Sequence, residues 1–506
     1  MNNNSPEIST PATPPIHSHP FPFYPLVLAL YPALALLSSN LGQAQPGAAL
    51  RPLIFSLLGS ALLYGTLRLI FRRWDRAAAL TAAAQVLFLG YGYFYLALEG
   101  GALGRHRYLA PLWLALGGVS LWLLLRRRSV AALVTTGLNA VSVILVALPL
   151  LQVGVYQVRQ AQPAAETGAL SASTLPDVYY IVLDGYGRAD AIEAAYGFDN
   201  AAFTQSLQDL GFVLPECAQS NYMWTALSLS STLNMDYQDV LYPAGMEHPD
   251  NVDWAVYHGL IQHSAVRANL EALGYQTVAF ETSFAFTEMA DADWYIAISD
   301  NPLSQQAVAG VTPTAFETLF LRTTALRVLL ETRAAWLPAA ALSANEGHYQ
   351  RVSFTLAQLP GAAELPGPKF VFLHLPAPHS PFVFKPDGSY SDVGEEATGY
   401  PDTVAYLNNR MIPILQSILR NSATPPIIVL QGDHGWDQPH RLQILNALYL
   451  PGENAPQISP TLTPVNTFRV IFNTYFGGSY PLLPDVSYNS PEGRKLDFSV
   501  APFECP

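Results

Sequence analysis

The sequence predicts a two-part chain: about five transmembrane helices, then an α/β domain built on a mostly parallel central sheet. Three observations predict it. Of the 506 residues, 50% are apolar and only 12% are charged, about half the charged share of soluble globular domains. Charge also divides along the chain. Residues 1–160 hold eleven arginines, no lysine and three acids (Glu7, Asp75, Glu99), net +8, so the total of −13 leaves −21 on residues 161–506. Finally, long apolar stretches fill the first part, and short β-rich runs alternate with amphipathic stretches in the second. A basic apolar part followed by an acidic part describes two environments, the first of them a bilayer. The acidic part does not suit nucleic acid as a partner.

Residues 1–20 are polar and proline-rich without the basic start of a signal peptide, and read as a disordered tail. Five apolar stretches follow, at 22–40, 52–71, 78–98, 108–125 and 130–155, each near the ~20 residues a bilayer core requires. They define a transmembrane domain over 21–156. Pro25 and Pro32 interrupt the first stretch, which membrane helices tolerate. Arg72, Arg73 and Arg76 lie in one loop and Arg126, Arg127 and Arg128 in another, against Arg51, Arg105 and Arg107 in the loops of the opposite side. The arginine-rich loops are expected in the cytoplasm. With five spans, the amino terminus is then cytoplasmic and everything beyond residue 155 is extracytoplasmic. Gln85 and Glu99 are the notable polar groups near the third span, and Glu99 reads as interfacial.

Residues 157–176 are small and polar and read as a linker. The domain 177–506 follows, with strands expected at 178–183, 277–280, 370–375, 427–430 and 446–450. Helices are expected near 200–210, 225–235, 258–272, 402–420 and 465–476. Strands apolar on both faces and separated by helices imply a mostly parallel sheet. The stretch 281–345 breaks this rhythm and reads as an insertion.

Ligands of open α/β sheets gather beyond the carboxyl ends of the strands, so the residues there carry weight. One strand runs into Asp184-Gly185-Tyr186-Gly187-Arg188, another into His374-Leu375-Pro376-Ala377-Pro378-His379, and a third into Gly432-Asp433-His434-Gly435. Each acid alone could be an ordinary turn or capping residue. Together, carboxylates with Asp433-His434 make a mixed oxygen and nitrogen set suited to Mn²⁺, Zn²⁺ or Mg²⁺. Residues 220–235 (SNYMWTALSLSSTLNM) supply a hydroxyl. A helix opening near Thr225 would aim free amides and its positive end at an anion, and a hydroxyl beside a divalent metal could attack phosphorus. The plainer reading of Thr225 is a helix cap. Ser228, Ser230, Ser231 and Thr232 read as packing or supporting groups.

These residues resemble the alkaline phosphatase/sulfatase superfamily, and within it the membrane-anchored, single-metal branch of lipoteichoic acid synthases and phosphoglycerol or phosphoethanolamine transferases. The markers are VLDGYGR at 182–188, NYMWTALSLSSTLNM at 221–235, HLPAPHSPFVF at 374–384 and LQGDHG at 430–435. The resemblance implies an alkaline phosphatase-like fold for 177–506. It implies Asp184, Thr225, Asp433 and His434 as ligands of one divalent metal, Mn²⁺ first with Mg²⁺, Zn²⁺ or Ca²⁺ as alternatives. Thr225 would be the nucleophile and His379 the histidine that holds the substrate phosphate or leaving group. His374 would be structural, or an alternative to His379. For Arg188, contact with a substrate anion and a structural ion pair both stay open.

The departures are informative. Lipoteichoic acid synthases commonly use Glu where this chain has Asp184. The Cys/Ser-x-Pro-x-Arg pattern of formylglycine sulfatases does not occur at 224–228, and no Asp-x-x-x-His adds a second metal set. The implied reaction moves a phosphoryl headgroup from a membrane lipid through a phosphothreonine. The alternatives are a phosphodiesterase, phosphatase or sulfatase-like hydrolase of another phosphate or sulfate ester, and an inactive ectodomain that binds partners. That last reading predicts gaps in the metal set. The cysteines Cys217 and Cys505 are either a disulfide, which an oxidising compartment permits, or two buried thiols.

Overall fold

The computed structural model describes residues 20–42, 44–98, 101, 104–126, 132–160, 168–250, 252–282, 284–298, 315–331, 344–391, 394–436, 439–452 and 455–506. The expected tail at 1–19, Glu99, Arg127 and Arg128, and parts of the expected linker and insertion lie outside the described residues. The chain divides into two units, one of residues 1–36, 49–150 and 319–332, the other of residues 37–48, 151–318 and 333–506.

Among the described residues, four helices are long and apolar enough to cross a membrane: Pro46–Phe71, Trp74–Leu98, His106–Arg126 and Val134–Gln160. Their outward residues, among them Leu62, Leu69 and Leu114, stay largely exposed, as lipid-facing positions must. The first expected span differs. Residues 22–40 form two short helices, Tyr24–Leu28 and Tyr31–Ser38, together under the length a bilayer core needs. Pro32 has no N–H to continue a helix begun at Tyr24, so the chain breaks before it. Gln85 answers the break from a neighbouring helix by donating to the Pro25 carbonyl (2.7 Å) and the Ser60 hydroxyl (2.7 Å). The last long helix runs to Gln160, into the stretch read as a linker.

The second unit holds a six-stranded sheet ordered β3-β2-β4-β1-β5-β6. The strands are β1 (Val178–Leu183), β2 (Gln276–Phe280), β3 (Trp294–Ile296), β4 (Lys369–Leu375), β5 (Ile427–Gly432) and β6 (Asn446–Tyr449). All neighbours are parallel except β6, which runs antiparallel to β5. β1, β4 and β5 are buried along their full length, hence their unbroken apolar runs. A small antiparallel pair, β7 (Ser487–Asn489) and β8 (Ser499–Ala501), lies outside this sheet.

The five expected strands form. β3 was hidden inside the stretch read as an insertion. The single helix expected at 258–272 is two, Trp254–Gln262 and Ala265–Ala272, because Ser264 takes extended backbone. Both faces of the sheet are covered. One packs Tyr179, Ile181 and Leu183 against helix Glu396–Asn421 through Val404, Leu407 and Met411. The other packs Tyr180 and Val182 against Leu229 and Phe468.

Candidate active site

The strand register builds the site. Leu183 at the end of β1 pairs with Leu375 of β4 on one side and Gly432 of β5 on the other, so Asp184 and Asp433 leave the sheet side by side. Gly185 turns in the left-handed region (φ +79°), which glycine adopts at no steric cost, and its amide donates to Asp433 Oδ1 at 3.0 Å. That fixes one carboxylate oxygen and leaves Oδ2 facing the cluster. Gly432 has a separate reason: a Cβ there would sit 2.2 Å from the Tyr186 carbonyl oxygen, so only glycine lets the two strand ends approach.

His434 Nδ1 donates to the Gly435 carbonyl at 2.8 Å. A carbonyl only accepts, so the Nε2 lone pair faces the acids. Nε2 lies 3.7 Å from Asp184 Oδ1 and 3.4 Å from Asp433 Oδ2. The ligand atoms of Asp184, Asp433 and His434 lie within 4.8 Å of one another, and all three residues are buried. Both oxygens of Asp184 and Oδ2 of Asp433 have no hydrogen-bond donor. Buried carboxylate oxygens without donors are costly in an empty fold, and compensating them suits this donor set to a divalent cation.

Thr225 opens helix Thr225–Asn234, with Trp224 as its extended cap residue. The amides of Leu227 and Ser228 close on the Trp224 carbonyl at 3.0 and 2.9 Å, leaving those of Thr225 and Ala226 without an acceptor among the described residues. The Thr225 hydroxyl stands 3.2 Å from His434 Nε2. Ser228 bonds Ser220 (2.9 Å), whose hydroxyl donates to the Asp433 carbonyl (2.6 Å). The helix thus supports the Asp433-His434 loop.

Burial alone would raise the Asp184 carboxyl, but His379, His374 and His434 around it hold it well below the usual carboxylate range. Burial pushes the His434 imidazole down, against the pull of Asp433. His374 is the converse: burial lowers it, and the Asp184 carboxylate beside it more than reverses this. Its Nε2 is 3.4 Å from Asp184 Oδ2 and its Nδ1 meets the Thr287 hydroxyl at 3.2 Å, so it sits behind the carboxylate. His379 instead lines the open cavity with Thr225 and His434, its ring held edge-on to Trp436 and Phe284.

Arg188 is structural. It pairs with Asp190 at 2.6 Å and donates to the Ala218 and Glu504 carbonyls. Cys217 and Cys505 form a disulfide, which places residue 505 beside the loop that leads to Thr225. Sequence reasoning missed Arg441. Its Nε donates to the Met223 carbonyl (2.8 Å) and its Nη2 reaches the same His434 Nε2 at 3.3 Å. The available signal was a lone arginine in the turn between Gly435 and β6. The cavity in front of these groups measures about 730 Å³ and is lined further by Lys495, Trp224 and Trp254.

No family model matches the chain, and no curated protein matches it. Among solved structures, the chain is similar to the C-terminal periplasmic domain of EcEptC from Escherichia coli in complex with Zn, at 11% identity over 63% of this chain and 89% of that one, TM-score 0.38. It is similar to the lipoteichoic acid synthase LtaP from Listeria monocytogenes, at 12% identity over 66% and 82%, TM-score 0.38. It is also similar to the integral membrane lipooligosaccharide phosphoethanolamine transferase A (EptA) from Neisseria meningitidis, at 12% identity over 84% and 88%, TM-score 0.34. These descriptions are of the kinds of protein that the four motifs resemble. At such identities the functional reading rests on the residues of the site.

Proposed function

We propose that this chain is a membrane-anchored, metal-dependent enzyme of the alkaline phosphatase/sulfatase type that transfers a phosphoryl headgroup, of the phosphoglycerol or phosphoethanolamine kind, from a membrane lipid. The observation that carries the reading is the buried Asp184, Asp433 and His434 set, with three donorless carboxylate oxygens, beside the hydroxyl of helix-opening Thr225. Residues 21–156 anchor the chain in the membrane, and residues 177–506 work outside the cytoplasm.

Asp184, Asp433, His434 and the Thr225 hydroxyl would hold the ion, Mn²⁺ by preference, which when bound supplies positive charge that favours the threonine alkoxide and the substrate oxygens. Thr225 Oγ1, its proton passed to water, bonds to phosphorus, and the bond from phosphorus to the lipid alcohol oxygen breaks. His379, on the open side of the cavity, gives that oxygen its proton. The amides of Thr225 and Ala226 and the guanidinium of Arg441 face the developing charge. An acceptor hydroxyl then attacks the phosphothreonine, its proton returns to His379, and the threonine oxygen takes a proton from water.

The test is incubation of the full-length protein in detergent with headgroup-labelled phosphatidylglycerol and phosphatidylethanolamine, with Mn²⁺ or chelator. Label trapped on Thr225 supports the reading, and turnover that survives Thr225→Ala or chelation ends it. Label released only to water assigns the same site to a hydrolase.

A further inference from the structure

Beside the nucleophile, the cavity carries a cation that neither the metal set nor the transfer step uses, Lys495, and it shares one indole ring with Arg441. Trp224 is fixed by its indole N–H, which donates to the Ser490 hydroxyl at 3.0 Å. Arg441 lies over that ring at 4.9 Å and the Lys495 ammonium at 4.2 Å, and Lys495 also stands 6.0 Å from the Trp254 ring. Among the described residues, neither cation has a carboxylate within ion-pair distance. The remaining Arg441 donors go to the Met223 and Trp436 carbonyls. Glu492, exposed, is the acid whose charge Lys495 feels. Among the described residues, and apart from the metal carboxylates behind it, the cavity wall has one acid, Asp253, and Arg159 matches it at 2.6 Å. Among the described residues the wall therefore keeps two cations without an ion-pair partner, Arg441 with Asp433 and Asp184 behind it and Lys495 without them, both partly withdrawn from water.

The aromatic wall sharpens the point. Tryptophan faces in a pocket are how proteins bind substrate ammonium groups. Here the face of Trp224 is already taken by the protein's own cations, and Lys495 stands next to that of Trp254. An incoming ammonium would meet repulsion, and an incoming anion would offset the burial of two charges.

We infer that Lys495, Arg441 and Trp224 form an anion subsite next to Thr225, and that the substrate carries a second anionic group besides the phosphodiester under attack. This rests on the transfer reading for the place of the reacting phosphate, and it selects within that reading against cationic headgroups. Lys495 is the specificity-determining group. Arg441 bridges the subsite to the metal set.

The test has two arms on full-length protein loaded with Mn²⁺ in detergent. Calorimetry compares glycerol 1,3-bisphosphate, glycerol 3-phosphate and phosphoethanolamine. The bisphosphate is expected to bind at least tenfold more tightly than phosphoethanolamine, the margin vanishing in Lys495→Met and surviving in Lys495→Arg. Turnover then compares labelled phosphatidylglycerol phosphate, phosphatidylglycerol and phosphatidylethanolamine, with rates expected to fall in that order and Lys495→Glu expected to reverse the two ends. Equal binding of the three soluble groups, preference for phosphoethanolamine, or a margin unchanged in Lys495→Met overturns the inference. If no lipid is turned over while the binding margin and its loss in Lys495→Met both hold, the transfer reading fails and the subsite stands.

Discussion

Replacing Asp184 with Asn separates a metal ligand from a structural acid, because the two roles predict opposite signs. Asp184 is fully buried and neither oxygen has a donor. A buried polar group left unsatisfied costs about 1–3 kcal/mol, and the Asp433 carboxylate adds like-charge repulsion when no ion is bound. An asparagine amide there removes the charge and can donate to His434 Nε2, which lies 3.7 Å from Asp184 Oδ1. In chelator, the histidines around the carboxylate offset this cost, so Asp184→Asn should unfold within about 1 kcal/mol of the wild type. With Mn²⁺ at a hundred times its Kd, the wild type gains about 2.7 kcal/mol, whereas a variant of hundredfold weaker affinity gains about 0.4 kcal/mol. The assay is denaturant unfolding of the full-length protein in detergent, in EDTA and in Mn²⁺. Equal metal-induced gains in the two proteins would remove Asp184 from the metal set. A chelated variant several kcal/mol below chelated wild type would show that the carboxylate is satisfied within the fold, and the reasoning would fail.

Two further outcomes follow from groups outside the metal set. Burial pushes the Glu288 carboxyl up from 4.5 to about 7, against bonds from Tyr295 and Thr282. The folded chain thus prefers the protonated acid, so its contribution is complete below about pH 4.5 and is lost as pH rises through 7, about 3 kcal/mol in all. Glu288→Gln should flatten that decline in denaturant unfolding measured from pH 5 to 8. Removing the disulfide with Cys217→Ser, Cys505→Ser or both should cost the same in each case, about 2–4 kcal/mol, and reductant should leave the variants unchanged while bringing the wild type down to them.

Much of this was legible in the sequence because it was local. β1, β4 and β5 are buried on both faces, so their apolar runs VYYIVL, KFVFLHL and IIVLQG announce themselves, and the residues after each run lie at its carboxyl end by construction. What eluded the sequence depends on partners far along the chain. β3 is a three-residue edge strand whose meaning comes from pairing with β2. The break at His263 and Ser264 follows from a side-chain demand, since the Asn234 amide oxygen accepts from Ala265 N. Arg441 and Lys495 belong to the site only because both reach Trp224, more than 200 residues away in the chain, and no spacing rule connects them. The first stretch departs for a physical reason too: the residues on both sides of Pro32 are apolar, so the run reads as continuous, while helix continuity registers Pro32 as a missing donor.

The floor beneath Thr225 has a consequence for when the proposed activity can arise. Asn221 bonds the Val486 carbonyl, Trp224 bonds Ser490, Tyr222 stacks on Tyr488, and Cys217 is tied to Cys505, spans of 265 to 288 residues. Closing loops of that length is among the slow steps of folding. A chain emerging from synthesis could pair β1 with β4 and β5 well before residues 486–505 arrive to seat Thr225. On the proposed function, catalytic competence is then one of the last properties the protein acquires, and a half-made chain carries Asp184 and Asp433 without an aligned Thr225.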